Sequence, residues 1–297
     1  MKIPSGEFVR VTNYKSSMTV NPQNIGVIAG SGQFPLLFIK AAQEAGRRVI
    51  VVAHKNETSS QVADAADEVC WVKLGQLGKL IRFFQKQNVT EVVFLGAINK
   101  TKIFRDVMPD LKAISLWNKI DSRQDDALLR AVAGALEQEN IRVLESTLYL
   151  SHLFFPKGVL TKKKPSREQI KDIEFGWRTA RAVGRLDIGQ CVVVRECSVL
   201  AVEAIEGTDA TILRGGQLAK EKAVVVKLKK PGQDFRFDLP ATGLKTIESL
   251  RNVKGAVLAV EAGQSLLFDQ DQVVRNANSA GIVIVGIEEL EDGSLSY

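Results

Sequence analysis

Carboxylates and lysines crowd the second half of this chain in short runs set between apolar stretches. The runs are Leu186-Asp187-Ile188-Gly189-Gln190, Glu203-Ala204-Ile205-Glu206-Gly207-Thr208-Asp209, Lys227 to Lys230 followed by Pro231-Gly232-Gln233-Asp234, Phe235-Arg236-Phe237-Asp238-Leu239-Pro240, and Glu261-Ala262-Gly263. Carboxylate oxygens gathered around ammonium groups meet the joint needs of a divalent cation and a phosphate: hard oxygen ligands for the metal, N–H donors for the phosphate oxygens. Alternation of Asp234, Arg236 and Asp238 would turn all three to one side of a strand. A solvated strand face carries the same pattern, so spacing alone leaves both readings open.

The first half offers a different device. Gly30-Ser31-Gly32-Gln33-Phe34-Pro35 follows the apolar run Ile25 to Ala29 and opens an amphipathic stretch. Glycines let backbone approach a phosphate, and the free N–H groups of a following helix attract anions. As a dinucleotide fingerprint the segment is incomplete, because Pro35 stands at the third glycine and Ala53-His54 replaces the acid that would hold a ribose. An NAD-linked oxidoreductase is thereby weakened, while a phosphate or nucleotide cleft and a plain structural turn stay level. Gln76 and the Gly96-Ala97-Ile98-Asn99 segment would fall at carboxyl ends of neighbouring strands, the ligand-binding edge of a parallel sheet. Ordinary turn chemistry explains them equally well.

Other chemistry is excluded by scarcity. The 297 residues include two histidines, His54 and His152, so hydrolysis would lean on carboxylates, lysines or a hard metal ion. Cys70, Cys191 and Cys197 contain no C-x-x-C pair, which argues for a reducing compartment, against structural zinc, and for buried apolar roles. Lys and Arg number 40 against 34 Asp and Glu, a net charge of +6. Lys157 to Lys171 and Arg214 to Lys230 each hold six basic residues against one acid, so each stretch is +5 and the remainder is −4. With only 6% aromatic residues this is no nucleic-acid coat. Local anion or lipid-surface contact fits the two stretches, as does a solvated face.

The elements that must position these residues follow from the apolar pattern. A hydrophobic share of 45% with 25% charge is that of a globular protein, and the length suggests about two domains. Apolar runs such as Ile282 to Val285 fall far below the roughly 18 residues that cross a bilayer. Residues 1–24 read as an extension without a secretory core, with Met18 as a candidate alternative start. Strands are predicted at Ile25 to Ala29, Val49 to Ala53, Glu68 to Val72, Glu91 to Leu95 and Ile141 to Glu145, alternating with helical stripes at Pro35 to Ala45, Leu77 to Phe84 and from Asp125-Asp126 to Leu136. Leu148 to Phe155 is ambiguous. Residues 25–152 thus form an open, mostly parallel, Rossmann-like α/β domain with covering helices. Residues 153–297 form a mixed α/β domain. Its strands are expected at Cys191 to Arg195, Ser198 to Ile205, Ala223 to Leu228, Phe235 to Leu239, Ala256 to Ala262, Ser265 to Phe268 and Ile282 to Ile287, with helices near 167–184, 242–252 and 270–280.

Across nearly the whole chain from Ile25 to about Ile287, the sequence resembles the LpxI-type UDP-2,3-diacylglucosamine pyrophosphatases of Gram-negative lipid A synthesis. The carriers are IGVIAGSGQFP, EVVFLGAI, DDALLRAVAGALEQE, GRLDIGQCVVV, VLAVEAIEGTDA, KKPGQDFRFDLPATG and VEAGQSLLFD, specific in their number and order. The resemblance implies hydrolysis of UDP-2,3-diacylglucosamine to UMP and 2,3-diacylglucosamine 1-phosphate (lipid X) by water attack on the α-phosphorus, assisted by a divalent cation, Mg²⁺ or Mn²⁺. It also implies that substrate lies between two domains and that the essential aspartate is Asp238 of the DLP motif. Two departures, Ser31 within the glycine turn and Thr211 after EGTDA, remove no carboxylate. On this basis Asp238, Asp209 and Glu206 are expected to hold the metal, and Asp238, Asp209 and Lys227 to act in catalysis. Gly30, Ser31, Gly32, Gln33, Gln76 and Asn99 would receive the nucleotide end; Asp187, Gln190, Thr208, Lys230, Arg236, Glu261 and Gly263 complete the expected substrate contacts. A cytoplasmic protein peripherally attached to the anionic inner-membrane surface, with a homodimer open, follows. A non-catalytic UDP-sugar or lipid-binding protein on the same frame is the alternative.

Overall fold

The computed structural model describes residues 23–98, 109–117, 125–237 and 239–297, and the side chains of residues 117 and 125–127 lie outside that description, as do Asn99 and Asp238. The chain is α/β throughout, built on one parallel and one mixed sheet.

The first sheet takes β1 (Asn24–Ala29), β2 (Arg48–His54), β3 (Glu68–Val72), β4 (Glu91–Leu95) and β5 (Arg142–Val143) in the order β3-β2-β1-β4-β5, all parallel. β1, β2 and β4 are apolar along their length because helices cover both faces. One face packs Phe38, Ile39 and Ala42 of α1 (Phe34–Glu44); the other packs Leu80, Ile81 and Phe84 of α3 (Leu77–Lys86). The short α2 (Ser60–Ala65) adds Val62 to the first of these layers. Helices α4 (Leu111–Trp117) and α5 (Asp125–Glu137) close the second layer. Pro35 sits in the first turn of α1, where its missing N–H costs nothing, and Gly46 follows at φ 77°. The order of strand addition reverses between β1 and β4, so this is where an open parallel sheet leaves a crevice.

The second sheet runs β14 (Leu295–Ser296), β13 (Val283–Glu289), β11 (Val257–Glu261), β9 (Val224–Lys227), β7 (Cys191–Arg195), β8 (Ser198–Val202), with β6 (Gly158–Val159) antiparallel to β13. β9, β11 and β13 are parallel; β7 and β8 form an antiparallel hairpin beside β9. The helix α6 (Arg167–Arg185) covers one face through Ile173, Trp177 and Ala180. Its start is fixed by a capping box, in which Gln169 N donates to Ser166 Oγ and Ser166 N to Gln169 Oε1. The other face is covered by α7 (Thr208–Ala219), α8 (Leu244–Asn252) and α9 (Gln270–Ala280). A two-stranded ribbon, β10 (Ala241–Thr242) with β12 (Leu266–Leu267), stands beside this sheet.

Several sequence expectations change here. Phe235 to Leu239 is no strand: residues 235–237 form a turn in which Phe237 N donates to Asp234 O and the Asp234 carboxylate accepts from Arg236 N. A carboxylate that bonds backbone two residues on competes directly with strand pairing. Helix α7 has no counterpart in the sequence reading, since Gly215 and Gly216 interrupt its stripe. The strand expected from Ile141 to Glu145 shrinks to β5. β3 is an edge strand, on which Glu68 and Val69 are exposed. Leu148 to Phe155 resolves into a turn and one 3₁₀ turn at Ser151–Leu153. Cys191 is buried as expected, whereas Cys70 is half-buried and Cys197 is exposed at the β7–β8 turn.

The two basic stretches do not form patches beside one another. Lys157 pairs with Glu288, and Lys162 to Lys164 lie before α6, next to Asn278 and Gly281 at the amino end of β13. In the second stretch Arg214 pairs with Glu206, Lys227 is buried, and Lys230 pairs with Asp187.

Candidate functional site between two strand edges

The carboxyl ends of the parallel strands in the two sheets face one another. From the first sheet come the turn after β1, the end of β4 and the segment after β5; from the second come the loops after β9 and β11. Gln33 Nε2 donates to Asp269 Oδ2 at 2.9 Å, and the rings of Phe34 and Phe268 meet edge-on at 5.5 Å. Phe237 stacks edge-on against Phe94 at 5.5 Å, and Phe235 approaches Phe154 at 6.3 Å. Arg130 donates to the Gly232 carbonyl at 2.8 Å and lies 3.7 Å from Asp234, while Arg236 reaches Glu137 at 3.1 Å. Ser146 Oγ donates to Phe235 O at 3.0 Å. The loop after β9 therefore lies across the first domain, and Asp238 follows Phe237 in it, outside the described residues.

On the first-domain wall, the turn after β1 and the loop after β4 are bridged by Ser31 N to Ala97 O at 2.8 Å, Ala97 N to Ser31 O at 3.1 Å, and Ser31 Oγ to Ala97 O at 2.8 Å. A Cβ on Gly30 would stand 2.4 Å from the Ala97 oxygen, and one on Gly96, whose φ is +84°, 2.3 Å from the Ser31 oxygen. Those two glycines permit contact between loops. Gly32, at φ +92°, faces open space and leaves its backbone accessible. Gln76 accepts from Lys73 N at 2.9 Å and so shapes its own turn. His54 ends β2 next to this wall; Nδ1 donates to the Ala29 carbonyl at 3.0 Å, and burial pushes its imidazole below the ordinary titration range.

On the second-domain wall, Glu203 and Lys227 are both buried. Glu203 accepts from Thr208 Oγ1 at 2.9 Å and from Gln190 N at 3.4 Å. Burial raises its carboxyl above the usual carboxylate range, against the opposing pull of the Lys227 charge and the Thr208 hydrogen bond. The Gln190 side-chain oxygen and Gln233 Nε2 are buried without a partner. Asp187 and Lys230 form a pair at 2.5 Å at the rim. Arg236 folds back on Asp234 at 2.9 Å; burial opposes ionisation of Asp234, and the Arg236 side chain and backbone N–H outweigh it, so the carboxyl stays below its usual range.

Glu261 stands behind this wall. It binds Arg181 at 2.6 Å and accepts from Lys229 N at 2.9 Å, which fixes the start of the loop after β9. Gly263 N donates to the Phe155 carbonyl and ties down the segment that leads to β6. Of the expected metal ligands, Glu206 is taken up by Arg214 at 2.6 Å, the backbone N–H of Ala204 and the Thr211 hydroxyl. Asp209 pairs at 3.0 Å with Lys245, whose side chain is 81% exposed and so can yield to a cation. Among the described residues no group of three or more His, Cys, Asp or Glu side chains could hold a metal ion.

The structure thus gathers Lys227, Gln190, Thr208 and Glu203 into one wall and sets the Gly30 to Gln33 turn opposite the residues after β12. Sequence reasoning did not single out Phe268, Asp269 or Arg130, although the first two close the VEAGQSLLFD run. Three apolar side chains mark the same rim: Leu186 is 71%, Ile188 49% and Ile205 84% exposed. The two loops that carry them meet where Gly189 packs against the Glu203 backbone.

A family model described as the LpxI N-terminal domain matches residues 24–153, and one described as the LpxI C-terminal domain matches residues 156–285. UDP-2,3-diacylglucosamine pyrophosphatase LpxI from Caulobacter vibrioides is 32% identical over 282 residues, which are 91% of this chain and 99% of that protein. Solved structures are far more distant. Phosphoribosylglycinamide synthetase from Anaerococcus prevotii is 14% identical, with 59% of this chain and 32% of that one covered at a TM-score of 0.26. N5-carboxyaminoimidazole synthetase from Staphylococcus aureus, complexed with ADP, is 13% identical, with 58% and 37% covered at 0.24. This chain spans about a third of either synthetase.

Proposed function

The chain belongs to the LpxI family, and from that premise we propose that it hydrolyses UDP-2,3-diacylglucosamine to UMP and 2,3-diacylglucosamine 1-phosphate in the cleft between the facing strand edges. It is an enzyme, a hydrolase acting on a pyrophosphate bond. The observation that carries the site assignment is the loop after β9, which leaves one sheet edge and packs on the other with Asp238 in its span.

Water attacks the α-phosphorus. A bond from the water oxygen to that phosphorus forms, the bond from the phosphorus to the bridging oxygen breaks, and the bridging oxygen departs on the lipid phosphate. The uridine end is received by the Gly30 to Gln33 turn, where Gly32 presents open backbone; the diphosphate lies against Gln190, Thr208, Lys230 and Arg236. Asp238 and Asp209 would supply oxygens to Mg²⁺ or Mn²⁺, and Asp209 fits this role because its lysine partner is exposed. Such a cation, when bound, neutralises the diphosphate and lowers the pKa of water toward neutrality. The exposed aliphatics at 186, 188 and 205 suit acyl chains and a peripheral stance on the cytoplasmic face of the inner membrane.

The direct test is chromatographic separation of products from UDP-2,3-diacylglucosamine; unchanged substrate would mark a binding protein and remove the enzyme assignment. In ¹⁸O water the label is expected in UMP, and label in the lipid phosphate would mean attack on the other phosphorus. Asp238→Ala is expected to abolish turnover while substrate still binds by calorimetry. Excess EDTA should stop the reaction and Mg²⁺ or Mn²⁺ restore it; full activity in metal-free buffer would sink the cation assignment.

A further inference from the structure

Lys227 ends β9 with only 4% of the residue exposed. An ammonium buried this far requires hydrogen-bond acceptors and a balancing charge. Its Nζ donates to the Ala241 carbonyl at 2.6 Å. Ala241 opens β10 three residues beyond Asp238, and the ribbon around it is held by Leu266 N to Pro240 O at 2.7 Å and Phe268 N to Thr242 O at 2.9 Å. On the other side of Asp238, Phe237 is buried against Phe94. The residues on either side of Asp238 are therefore held, and Lys227 belongs to the second of these anchors. Glu203, 6% exposed and oriented by Thr208 and Gln190, lies within electrostatic reach of the Lys227 ammonium.

We infer that Lys227 is a positioning residue: it fixes the backbone immediately after the Asp238 segment through the Ala241 carbonyl, with Glu203 as its counter-charge. The catalytic role expected of it from the sequence becomes an indirect one. A donor already committed to a carbonyl inside the protein acts on the reaction through the loop it holds. This inference rests on the pyrophosphatase reading above.

Four forms of the full-length protein test it: wild type, Lys227→Met, Glu203→Gln and the double variant. Turnover of UDP-2,3-diacylglucosamine, thermal midpoint, and amide hydrogen exchange in peptides spanning residues 233–243 and 263–268 are read on each. In Lys227→Met, kcat is expected to fall about a hundredfold, the scale of a misplacement near 1 Å, with KM within about threefold. Exchange in the ribbon should accelerate. The double variant removes both buried charges, so its thermal midpoint should return toward wild type while kcat and ribbon protection stay low. Recovery of kcat together with the midpoint would overturn the inference in favour of a purely stabilising charge pair. A rise in KM of tenfold or more with kcat preserved would overturn it in favour of direct substrate contact. Should Lys227→Met not fold, the double variant carries the comparison. If wild type leaves the substrate intact, the pyrophosphatase reading falls, and ribbon exchange alone decides: protection unchanged without the lysine removes the anchor.

Discussion

Burial holds the His54 imidazole neutral at a pH where a free histidine begins to charge, and the Ala29 carbonyl and Glu57 only partly offset it. A base whose folded pKa lies below its unfolded value of 6.5 stabilises the fold above 6.5, and that contribution is lost as pH falls toward the folded value. Wild type is therefore expected to lose thermal stability on acidification from about pH 7.5 to about pH 5, and His54→Gln to lose less over that window. Parallel melting curves for the two proteins would refute this. Residue chemistry was legible in the sequence where backbone conformation follows from residue type, as for the turn that Gly32 makes after β1 at φ +92°. It was illegible where a partner decides it. Glu206 and Asp209 sit three residues apart with similar chemistry, and only the folded partners, Arg214 for one and the exposed Lys245 for the other, separate a committed carboxylate from an available one.

Elements read from apolar periodicity emerged with nearly their expected bounds wherever both faces are buried: Glu91 to Leu95 and Cys191 to Arg195 are unchanged. One failure comes from local polar bonding that overrides the pattern. Phe235 to Leu239 alternates like a strand, yet Asp234 folds the backbone onto itself through Arg236. Two glycine substitutions measure how far local geometry governs these elements. Gly96→Ala places a Cβ against the Ser31 oxygen at a positive φ and is expected to cost about 1–3 kcal/mol and to weaken UMP binding. Gly134→Ala lies inside α5 with nothing within 4 Å of the new methyl, and is expected to stabilise by about 0.5–1 kcal/mol. Chemical denaturation read by circular dichroism checks both signs, and equal shifts would mean that the contact between the two loops has no energetic weight.

Across the whole molecule the exposed aliphatic rim stands at the carboxyl ends of the parallel strands in the second sheet, whereas the basic loop of Lys162 to Lys164 lies at the opposite strand ends. No helix among the described residues is long and apolar enough to cross a membrane. Replacing Leu186, Ile188 and Ile205 together with glutamine is expected to raise KM several-fold for long-chain substrate presented in vesicles and to leave a short-chain soluble analogue unaffected, since each methylene withdrawn from lipid forfeits about 0.8 kcal/mol. Equal effects on both substrates would detach the rim from lipid.

The loop after β9 has a consequence for how such a chain can be recombined. Its base belongs to one half and its docking site to the other: Phe237 fits Phe94, Arg236 fits Glu137, and Gly232 fits Arg130. A chimera that exchanged one half for that of a distant homologue would inherit a plug cut for a different socket. Grafts along this lineage must carry the socket residues with the plug, so the two halves are constrained to diverge in step.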